Sequence, residues 1–149
     1  MPGNKSTYSI LVNAIVVKDG KILISQRSGK EKHEPGKWTI PGGKLEETGD
    51  FYEALQYTAK KEILEETGIV VKDKMRLLCN NTFNHVKDNE LVLAIVFLCY
   101  YESGEARPME DTANIRWIKV DQVDNYEFPH ANVKNYVLKG FEFLKSSQV

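Results

Sequence analysis

Three glutamates in the middle of the chain have a spacing that could build a metal site. Each residue of a helix turns by about 100°, so the i, i+3, i+4 spacing of Glu62, Glu65 and Glu66 places their carboxylates on one narrow face. Without a partner these charges repel one another, and a face that water simply solvates is the ordinary alternative. A hard cation such as Mg²⁺ prefers oxygen ligands and would neutralise the cluster. It would also polarise a phosphoryl group and lower the pKa of a bound water.

The residues on either side of this acidic cluster favour the metal site. Gly42-Gly43 forms a bend at which the backbone can approach a ligand, because no side chain obstructs it. A helix is predicted from about Asp50 to Thr67, with Asp50 as the N-cap and Gly68 as the residue that ends it. Apolar residues recur every four positions and give this helix a core-facing stripe, made of Phe51, Leu55, Ala59 and Ile63.

Hydrophobic patterns predict the other elements that position this helix. Strands are expected at Tyr8 to Lys18, Lys21 to Arg27, Trp38 to Ile40, Ile69 to Val71, Met75 to Phe83, Leu91 to Tyr101 and Ile115 to Val120. An amphipathic helix is expected from about Asn132 to Leu144. Strands dominate without regular βα alternation, so we predict one α/β domain over residues 1–149, with a mixed or largely antiparallel sheet and flanking helices.

Composition restricts the classes of ligand. The 149 residues include 42% apolar and 28% charged side chains, as in an ordinary globular domain. A net charge of −1 provides no field that would hold a nucleic-acid polymer or an anionic membrane, which favours a small-molecule ligand.

The sequence also predicts a cytoplasmic location. The polar start, Met1 to Ser9, does not resemble a signal peptide. The longest apolar run, Leu91 to Tyr101, is shorter than the roughly 20 residues of a membrane-spanning helix. Cys79 and Cys99 have no metal-site or redox-site spacing, and we expect buried thiols in a reducing compartment. A structural disulfide is the alternative.

The segment from Gly43 to Ile69 resembles the Nudix box, in which a glycine and a spaced glutamate precede Arg-Glu-aliphatic-x-Glu-Glu-x-Gly-aliphatic. Here the second half reads Lys61-Glu-Ile-Leu-Glu-Glu-Thr-Gly-Ile69. The resemblance implies an α/β/α sandwich around a mixed central sheet. It also implies that Glu62, Glu65, Glu66 and the Gly43 carbonyl bind a divalent metal. Either Glu62 or Glu66 would be the base that accepts a proton from the attacking water.

The chain departs from this box at two positions. Nine residues separate Gly43 from Glu53, where the family has five. Glu53 keeps the family's spacing to Lys61-Glu62, so the helix would begin one turn earlier; alternatively, Asp50 takes the outer carboxylate position. The second departure is Lys61, which stands where the family has arginine. A planar guanidinium that can bind a carboxylate through two hydrogen bonds is thereby replaced by a single ammonium charge beside the metal ligands.

Further resemblance to MutT-like enzymes suggests the substrate-binding residues. Phe128 to Asn132 resembles a segment whose asparagine reads a purine edge, although Asn132 would also serve as an ordinary N-cap. Arg27 matches a phosphate-contacting arginine. Trp38 and Phe83 could stack on a base or belong to the core. Glu110, or its neighbour Asp111, would bring another carboxylate to the metal.

These residues predict a hydrolase that releases a nucleoside monophosphate and pyrophosphate from a nucleoside triphosphate, including oxidised purine dNTPs. Between Val70 and Val86 the chain lacks the proline of the ADP-ribose type and the tyrosine of the dinucleoside polyphosphate type. The alternatives are a pyrophosphatase for ADP-ribose or a nucleotide sugar, and a catalytically silent nucleotide sensor. The expected cofactor is Mg²⁺, with Mn²⁺ as a substitute. The expected partner is a small nucleotide, without a nucleic-acid polymer or membrane, and a homodimer is compatible with the family.

Overall fold

A seven-stranded mixed sheet forms the centre of the computed structural model, which describes residues 5–30 and 35–147. The strands are β1 (Tyr8–Lys18), β2 (Lys21–Arg27), β3 (Trp38–Thr39), β4 (Gly42–Lys44), β5 (Val70–His85), β6 (Glu90–Ser103) and β7 (Thr112–Ile118). The α-helices are α1 (Ala54–Thr67) and α2 (Ala131–Ser146), and short 3-10 helices lie at Val86–Asp88 and Val120–Asn125. Five strands lie in the order β3-β2-β1-β6-β5, while β4 pairs with β1 and β7 with β2.

The two central strands explain why the sheet is mixed. β1 and β6 run parallel, with Tyr8 opposite Leu91 and Val17 opposite Tyr100, whereas the other pairs are antiparallel. β1 and β2 form a hairpin, in which Asp19 and Gly20 both have positive φ, as a tight two-residue turn requires.

The two α-helices cover opposite faces of this sheet, so the predicted α/β/α sandwich is confirmed. Because side chains alternate along a strand, β1 contributes to both cores. Val12, Ala14 and Val16 pack with Ala59 and Ile63 of α1. On the other face, Ile15 and Val17 pack with Val137 and Phe141 of α2.

The start of α1 differs from the prediction. The helix begins at Ala54, and its N-cap is Glu53, which has φ +60° and makes no side-chain capping bond. The expectation that the helix would begin near Asp50, one turn earlier, was therefore wrong, and the extra residues lie in the loop before it. Phe51 is 48% exposed instead of lying in the core stripe. The predicted end is confirmed: Gly68 has φ +77° and donates its N–H to Leu64.

Other boundaries moved by a few residues. The two strands predicted between Ile69 and Phe83 form one continuous strand, β5, which register shifts interrupt at three places. β7 begins at Thr112, three residues before its predicted start at Ile115. Val120, the predicted end of that strand, instead begins a 3-10 helix that was not predicted. Cys79 and Cys99 are both free, which excludes a disulfide between them.

No helix in the part of the chain that the structure describes is long and apolar enough to cross a membrane. The first four residues of the polar start lie outside the described residues.

Candidate active site

Two glutamates of α1, Glu62 and Glu66, lie beside the part of the sheet that β2, β4 and β7 form. Ala59 and Ile63 are buried against the sheet, which fixes the rotation of the helix about its axis. The Glu62 side chain is 16% exposed and the Glu65 side chain 40%. Glu66, one turn after Glu62, lines a cleft between α1 and the sheet. The i, i+3, i+4 spacing therefore distributes the carboxylates from the cleft to the surface.

The glycine bend packs directly against these carboxylates. The Gly42 N–H donates a hydrogen bond to Oε2 of Glu66 at 3.0 Å. A Cβ added to Gly43 would lie 2.5 Å from Cδ of Glu62. Because real side chains do not tolerate such a distance, residue 43 can be only glycine while Glu62 keeps this position. The bend thus fixes one glutamate by a hydrogen bond and approaches the other by contact.

A cleft of about 220 Å³ opens beside Glu66. Its lining is mostly polar and comes from four strands, α1 and one loop: Ser25, Gln26, Arg27, Thr39, Gly42, Glu66, Glu110, Asp111 and Thr112. Gln26 is held in place by the Asn114 amide at 2.7 Å and by its own bond to the Gly36 carbonyl at 3.0 Å. The cleft therefore combines carboxylates with the predicted phosphate-contacting arginine, Arg27.

The loop before β7 brings Glu110 to this cleft. Its backbone caps the end of α1, because the Arg107 N–H donates to the Thr67 carbonyl at 2.9 Å and the Met109 N–H donates to the Glu66 carbonyl at 3.2 Å. Glu110 follows with φ +52°, a left-handed conformation that reverses the chain. The same hydrogen bonds that complete the helix end thus set the position of this fourth carboxylate.

Burial and charge repulsion raise the pKa values of the inner glutamates. The pKa of Glu66 rises to about 8, chiefly because the carboxylate is desolvated, and the charges of Glu62 and Glu110 add to the rise. The Gly42 hydrogen bond and the Arg27 charge oppose it. Desolvation also raises the pKa of Glu62, followed by the charge of Glu65. The cluster holds more negative charge than its own cations neutralise.

This donor set fits a hard divalent cation. Carboxylate oxygens and a nearby backbone carbonyl are ligands that Mg²⁺ and Mn²⁺ prefer, and a cation would relieve the repulsion that raises the pKa of Glu66. Within residues 5–30 and 35–147, no group of three acidic, histidine or cysteine side chains is already spaced to hold a metal ion. Mg²⁺ needs only a few protein carboxylates, because water or phosphate oxygens complete its coordination.

Lys61 lies at the outer edge of the cluster. Its Nζ is 3.9 Å from Oε1 of Glu65 and 4.0 Å from Oε1 of Glu62. The pKa of Lys61 is raised, and the largest cause is the charge of Glu46, which sequence reasoning had not selected. Glu53 is exposed at the helix start. Glu46 is one of the nine residues between Gly43 and Glu53, and no motif position pointed to it.

The predicted base-binding residues lie outside the lining of this cleft. Trp38 and Phe83 are partly buried and pack against the α2-side core, and the Trp38 ring meets Tyr126 edge-on at 4.9 Å. Asn132 is the second residue of α2, whose N-cap is His130. The alternative that Asn132 serves as the N-cap was therefore wrong.

Several lining residues were not predicted, among them Ser25, Gln26 and Thr39. Gln26 is the chain neighbour of the selected Arg27, which was the only available signal. Thr39 reaches the cleft through the pairing of β3 with β2. A two-residue strand carries too little pattern to reveal this pairing.

Known proteins resemble this chain over most of its length. The NUDIX domain family model matches residues 7–141. An oxidized purine nucleoside triphosphate hydrolase of Danio rerio is 30% identical over 118 residues, covering 78% of this chain and 70% of that protein. Nucleoside triphosphatase NudI of Escherichia coli K12 is 24% identical over 137 residues, covering 87% and 95%. The crystal structure of a MutT NUDIX hydrolase from Burkholderia pseudomallei has a TM-score of 0.70 at 27% identity, covering 90% and 98%.

The chain therefore belongs to the Nudix family. It is a hydrolase that acts on phosphoric anhydrides. Nudix hydrolases generally use divalent metal ions, in agreement with the carboxylate cluster on α1.

Proposed function

We propose that this protein is a Mg²⁺-dependent nucleoside triphosphate pyrophosphohydrolase that releases a nucleoside monophosphate and pyrophosphate. One observation carries the proposal: a cleft that the carboxylates Glu66 and Glu110 line together with Arg27. Carboxylates bind the metal side of a metal–phosphate complex, and a guanidinium binds phosphate oxygens. Nucleoside triphosphates and related nucleoside diphosphate derivatives are the substrates that need both kinds of group.

The residues have complementary roles in this reaction. Glu62, Glu65, Glu66 and the Gly43 carbonyl would hold the ion, with Glu110 as a further ligand. When bound, the ion polarises the phosphoryl group and lowers the pKa of a coordinated water. Arg27 binds phosphate oxygens and orients the chain of phosphates across the cleft. Glu62 or Glu66 accepts the proton of the attacking water, whose oxygen bonds to the α-phosphorus as the bond to the bridging oxygen breaks.

Lys61 and its carboxylate neighbours position the metal ligands. Lys61 lies about equally far from Glu62 and Glu65, so its charge limits their mutual repulsion without blocking either. Glu53 was proposed from its spacing as the outer carboxylate, and the charge of Glu46 makes it a second candidate. Neither Glu46 nor Glu53 is among the residues that line the cleft.

The names of two relatives support nucleoside triphosphates as substrates. One is called an oxidized purine nucleoside triphosphate hydrolase and the other a nucleoside triphosphatase. Purine dNTPs and their oxidised forms are therefore the favoured substrates. We assign Asn132 to base recognition because its amide offers a donor and an acceptor and the capping role is absent. Trp38 and Phe83 supply the apolar contacts of that base.

Product analysis tests the cleavage position. The protein is incubated with Mg²⁺ or Mn²⁺ and a panel of NTPs, dNTPs, oxidised dNTPs and ADP-ribose, and products are separated by anion exchange. We expect monophosphate and pyrophosphate from the triphosphates. Orthophosphate release would overturn the proposed position, and preferential cleavage of ADP-ribose would overturn the substrate class.

Two variants test the assigned residues. Glu65→Gln combined with Glu66→Gln should abolish metal-dependent hydrolysis, and full activity would refute the metal assignment. Asn132→Ala should raise KM for purine triphosphates more than for pyrimidine ones. The matched control is Asn135→Ala, an exposed asparagine one turn further along α2, which should leave both KM values unchanged.

A further inference from the structure

A second cleft, of about 470 Å³, opens at a distance from the active site. Strand β7 lines both clefts: Thr112 borders the active-site cleft, whereas Ile115 and Trp117 border the second one. Trp117 follows Thr112 by five residues, which corresponds to roughly 17 Å along a strand. Among the described residues, none lines both clefts. The second cleft is therefore a separate site, and its volume lies in the range of about 300–1,000 Å³ typical of pockets for small molecules.

Two aromatic rings line the second cleft. Tyr101 of β6 and Trp117 of β7 meet edge-on, with ring centroids 6.2 Å apart. The Tyr101 hydroxyl donates a hydrogen bond to the Gly104 carbonyl at 2.6 Å, which holds this ring in place. Both side chains are only partly buried and border the cleft, so part of each ring is open to a ligand. Such rings offer a surface on which a planar ligand can stack.

The ammonium group of Lys18 lies over these rings. Its Nζ is 4.1 Å from the centroid of the Tyr101 ring and 5.9 Å from that of the Trp117 ring. The negative faces of the rings attract the cation and hold it at the cleft. Within residues 5–30 and 35–147, no carboxylate forms an ion pair with Lys18. The rings therefore position a positive charge that remains available to an anion.

The rest of the lining restricts the ligand further. Ile69, Ala106 and Ile115 supply apolar surface, and Glu105 supplies an exposed carboxylate. A carboxylate accepts hydrogen bonds from N–H groups and repels an anion. A fitting ligand thus combines a planar ring, N–H donors for Glu105 and an anionic group for Lys18. A nucleobase with an exocyclic amine, linked to a phosphate, has all three properties.

We propose that the second cleft is a non-catalytic binding site for a nucleoside monophosphate. The base stacks on Trp117 and Tyr101, the phosphate pairs with Lys18, and Glu105 accepts a hydrogen bond from the base. The choice of a monophosphate among anionic ring compounds rests on the proposed function, because that reaction releases one.

One segment connects the second cleft with the active site. Gly104–Ala106 lines the cleft, and the next residues, Arg107 and Met109, donate their N–H groups to carbonyls at the end of α1. Glu110, which borders the active-site cleft, follows directly. A ligand held against Gly104–Ala106 therefore contacts the segment that sets the position of Glu110. Occupation of the second cleft should change turnover without competing with the substrate.

Tryptophan fluorescence tests the site directly. In Trp38→Phe, Trp117 is the only remaining tryptophan of the chain. Titration of this metal-free variant with GMP in the presence of EDTA should quench the fluorescence to saturation. Guanosine lacks the phosphate and ribose 5-phosphate lacks the ring, so each should compete with GMP about tenfold more weakly or worse. Absence of saturable quenching would overturn the proposal.

A pair of lysine variants separates Lys18 from a general loss of charge. Lys18→Gln should weaken GMP binding by about tenfold and leave guanosine binding unchanged. Lys145→Gln is the matched control, since Lys145 is exposed on α2, and it should bind GMP as the wild type does. Equal GMP affinities of the two variants would refute the phosphate contact. Choline binding that Lys18→Gln tightens would instead identify a cation cage and overturn the proposal.

Kinetics test the connection with the active site. GMP should change kcat at saturating triphosphate, and Lys18→Gln should remove this effect while any competitive inhibition persists. Purely competitive inhibition of the wild type would overturn the connection. If the protein cleaved no triphosphate, the proposed function would fail, whereas the fluorescence titration would still decide whether the second cleft binds GMP.

Discussion

At the scale of single residues, Glu66 is subject to opposing influences. Burial and the neighbouring carboxylates raise its pKa to about 8, while the Gly42 N–H and Arg27 favour the charged form. Binding a cation requires the negative charge of the Glu66 carboxylate. Without the cation, the fold would be more stable if that buried carboxylate were neutral. Glu66 is thus a residue at which function opposes stability.

Glu66→Gln should separate these two effects. Glutamine keeps the shape and can still accept the Gly42 hydrogen bond, but it removes a buried charge. We expect the loss of at least about 100-fold in kcat/KM, while the metal-free free energy of unfolding at pH 8 rises by about 1–3 kcal/mol. Urea denaturation and steady-state kinetics measure the two quantities. Unchanged kinetics would remove Glu66 from the site.

Gly43→Ala should impair activity without unfolding the protein. The new methyl group would lie 2.5 Å from the Glu62 carboxyl carbon, and the end of that side chain can move away. We expect kcat to fall by about ten- to hundredfold, because the displaced carboxylate no longer meets the metal, with a change in Tm of only a few degrees. Gly29→Ala is the control, since a Cβ there meets nothing within 4 Å. Equal activity of the two variants would contradict the proposed contact.

At the scale of elements, the sequence marks the end of helix α1 clearly and its beginning only weakly. Gly68 identified the end of α1 because the left-handed conformation there strongly favours glycine. The beginning was misplaced because Asp50 looks like an N-cap and Phe51 fits an apolar stripe. In the structure Phe51 packs on Tyr57 at the surface, a contact that helical periodicity does not anticipate.

The candidate site was predictable as far as it is local in sequence. Spacing placed Glu62, Glu65 and Glu66 on one helical face, and the adjacent glycines together with the resemblance to the Nudix box selected them and Gly43 as a metal site. The approach of Glu110 depends on hydrogen bonds between the loop and the end of α1, which no local pattern encodes. Its selection rested on family resemblance.

The loop that carries Glu110 depends on close backbone contact at Gly104. Gly104 has φ +97°, and a Cβ there would lie 2.6 Å from the Gly68 carbonyl oxygen. Gly104→Ala should therefore destabilise the fold by about 1–3 kcal/mol and lower kcat through displacement of Glu110. Gly20→Ala, with φ +76° and open space around it, measures the backbone strain alone. If urea denaturation showed the same loss of unfolding free energy for both variants, the contact with Gly68 would contribute nothing to stability.

At the scale of the whole molecule, the sheet brings together residues that are far apart in sequence. Pairing of β2 with β7 sets Arg27 opposite Thr112, and pairing of β4 with β1 places the glycine bend beside them. Two hydrophobic cores then hold α1 and α2 against opposite faces. The mixed sheet was predicted, but strand order was not, since a hydrophobic pattern shows which residues are buried and not which strands are neighbours.

Global stability should depend on pH and on the divalent cation together. The pKa of Glu66 is about 8 in the folded state and near its ordinary 4.5 when unfolded, so between these values the folded state retains a proton that the unfolded chain releases. The metal-free free energy of unfolding should therefore fall as pH rises from about 4.5 to 8, by up to a few kcal/mol.

A cation binds the deprotonated carboxylate, so saturating Mg²⁺ should raise Tm more at pH 8.5 than at pH 5.5. Differential scanning calorimetry of the wild type and Glu66→Gln measures this, with a smaller slope and smaller Mg²⁺ effect expected in the variant. If stability depended on pH equally in the wild type and in Glu66→Gln, Glu66 would not be the group that links proton binding and metal binding to folding.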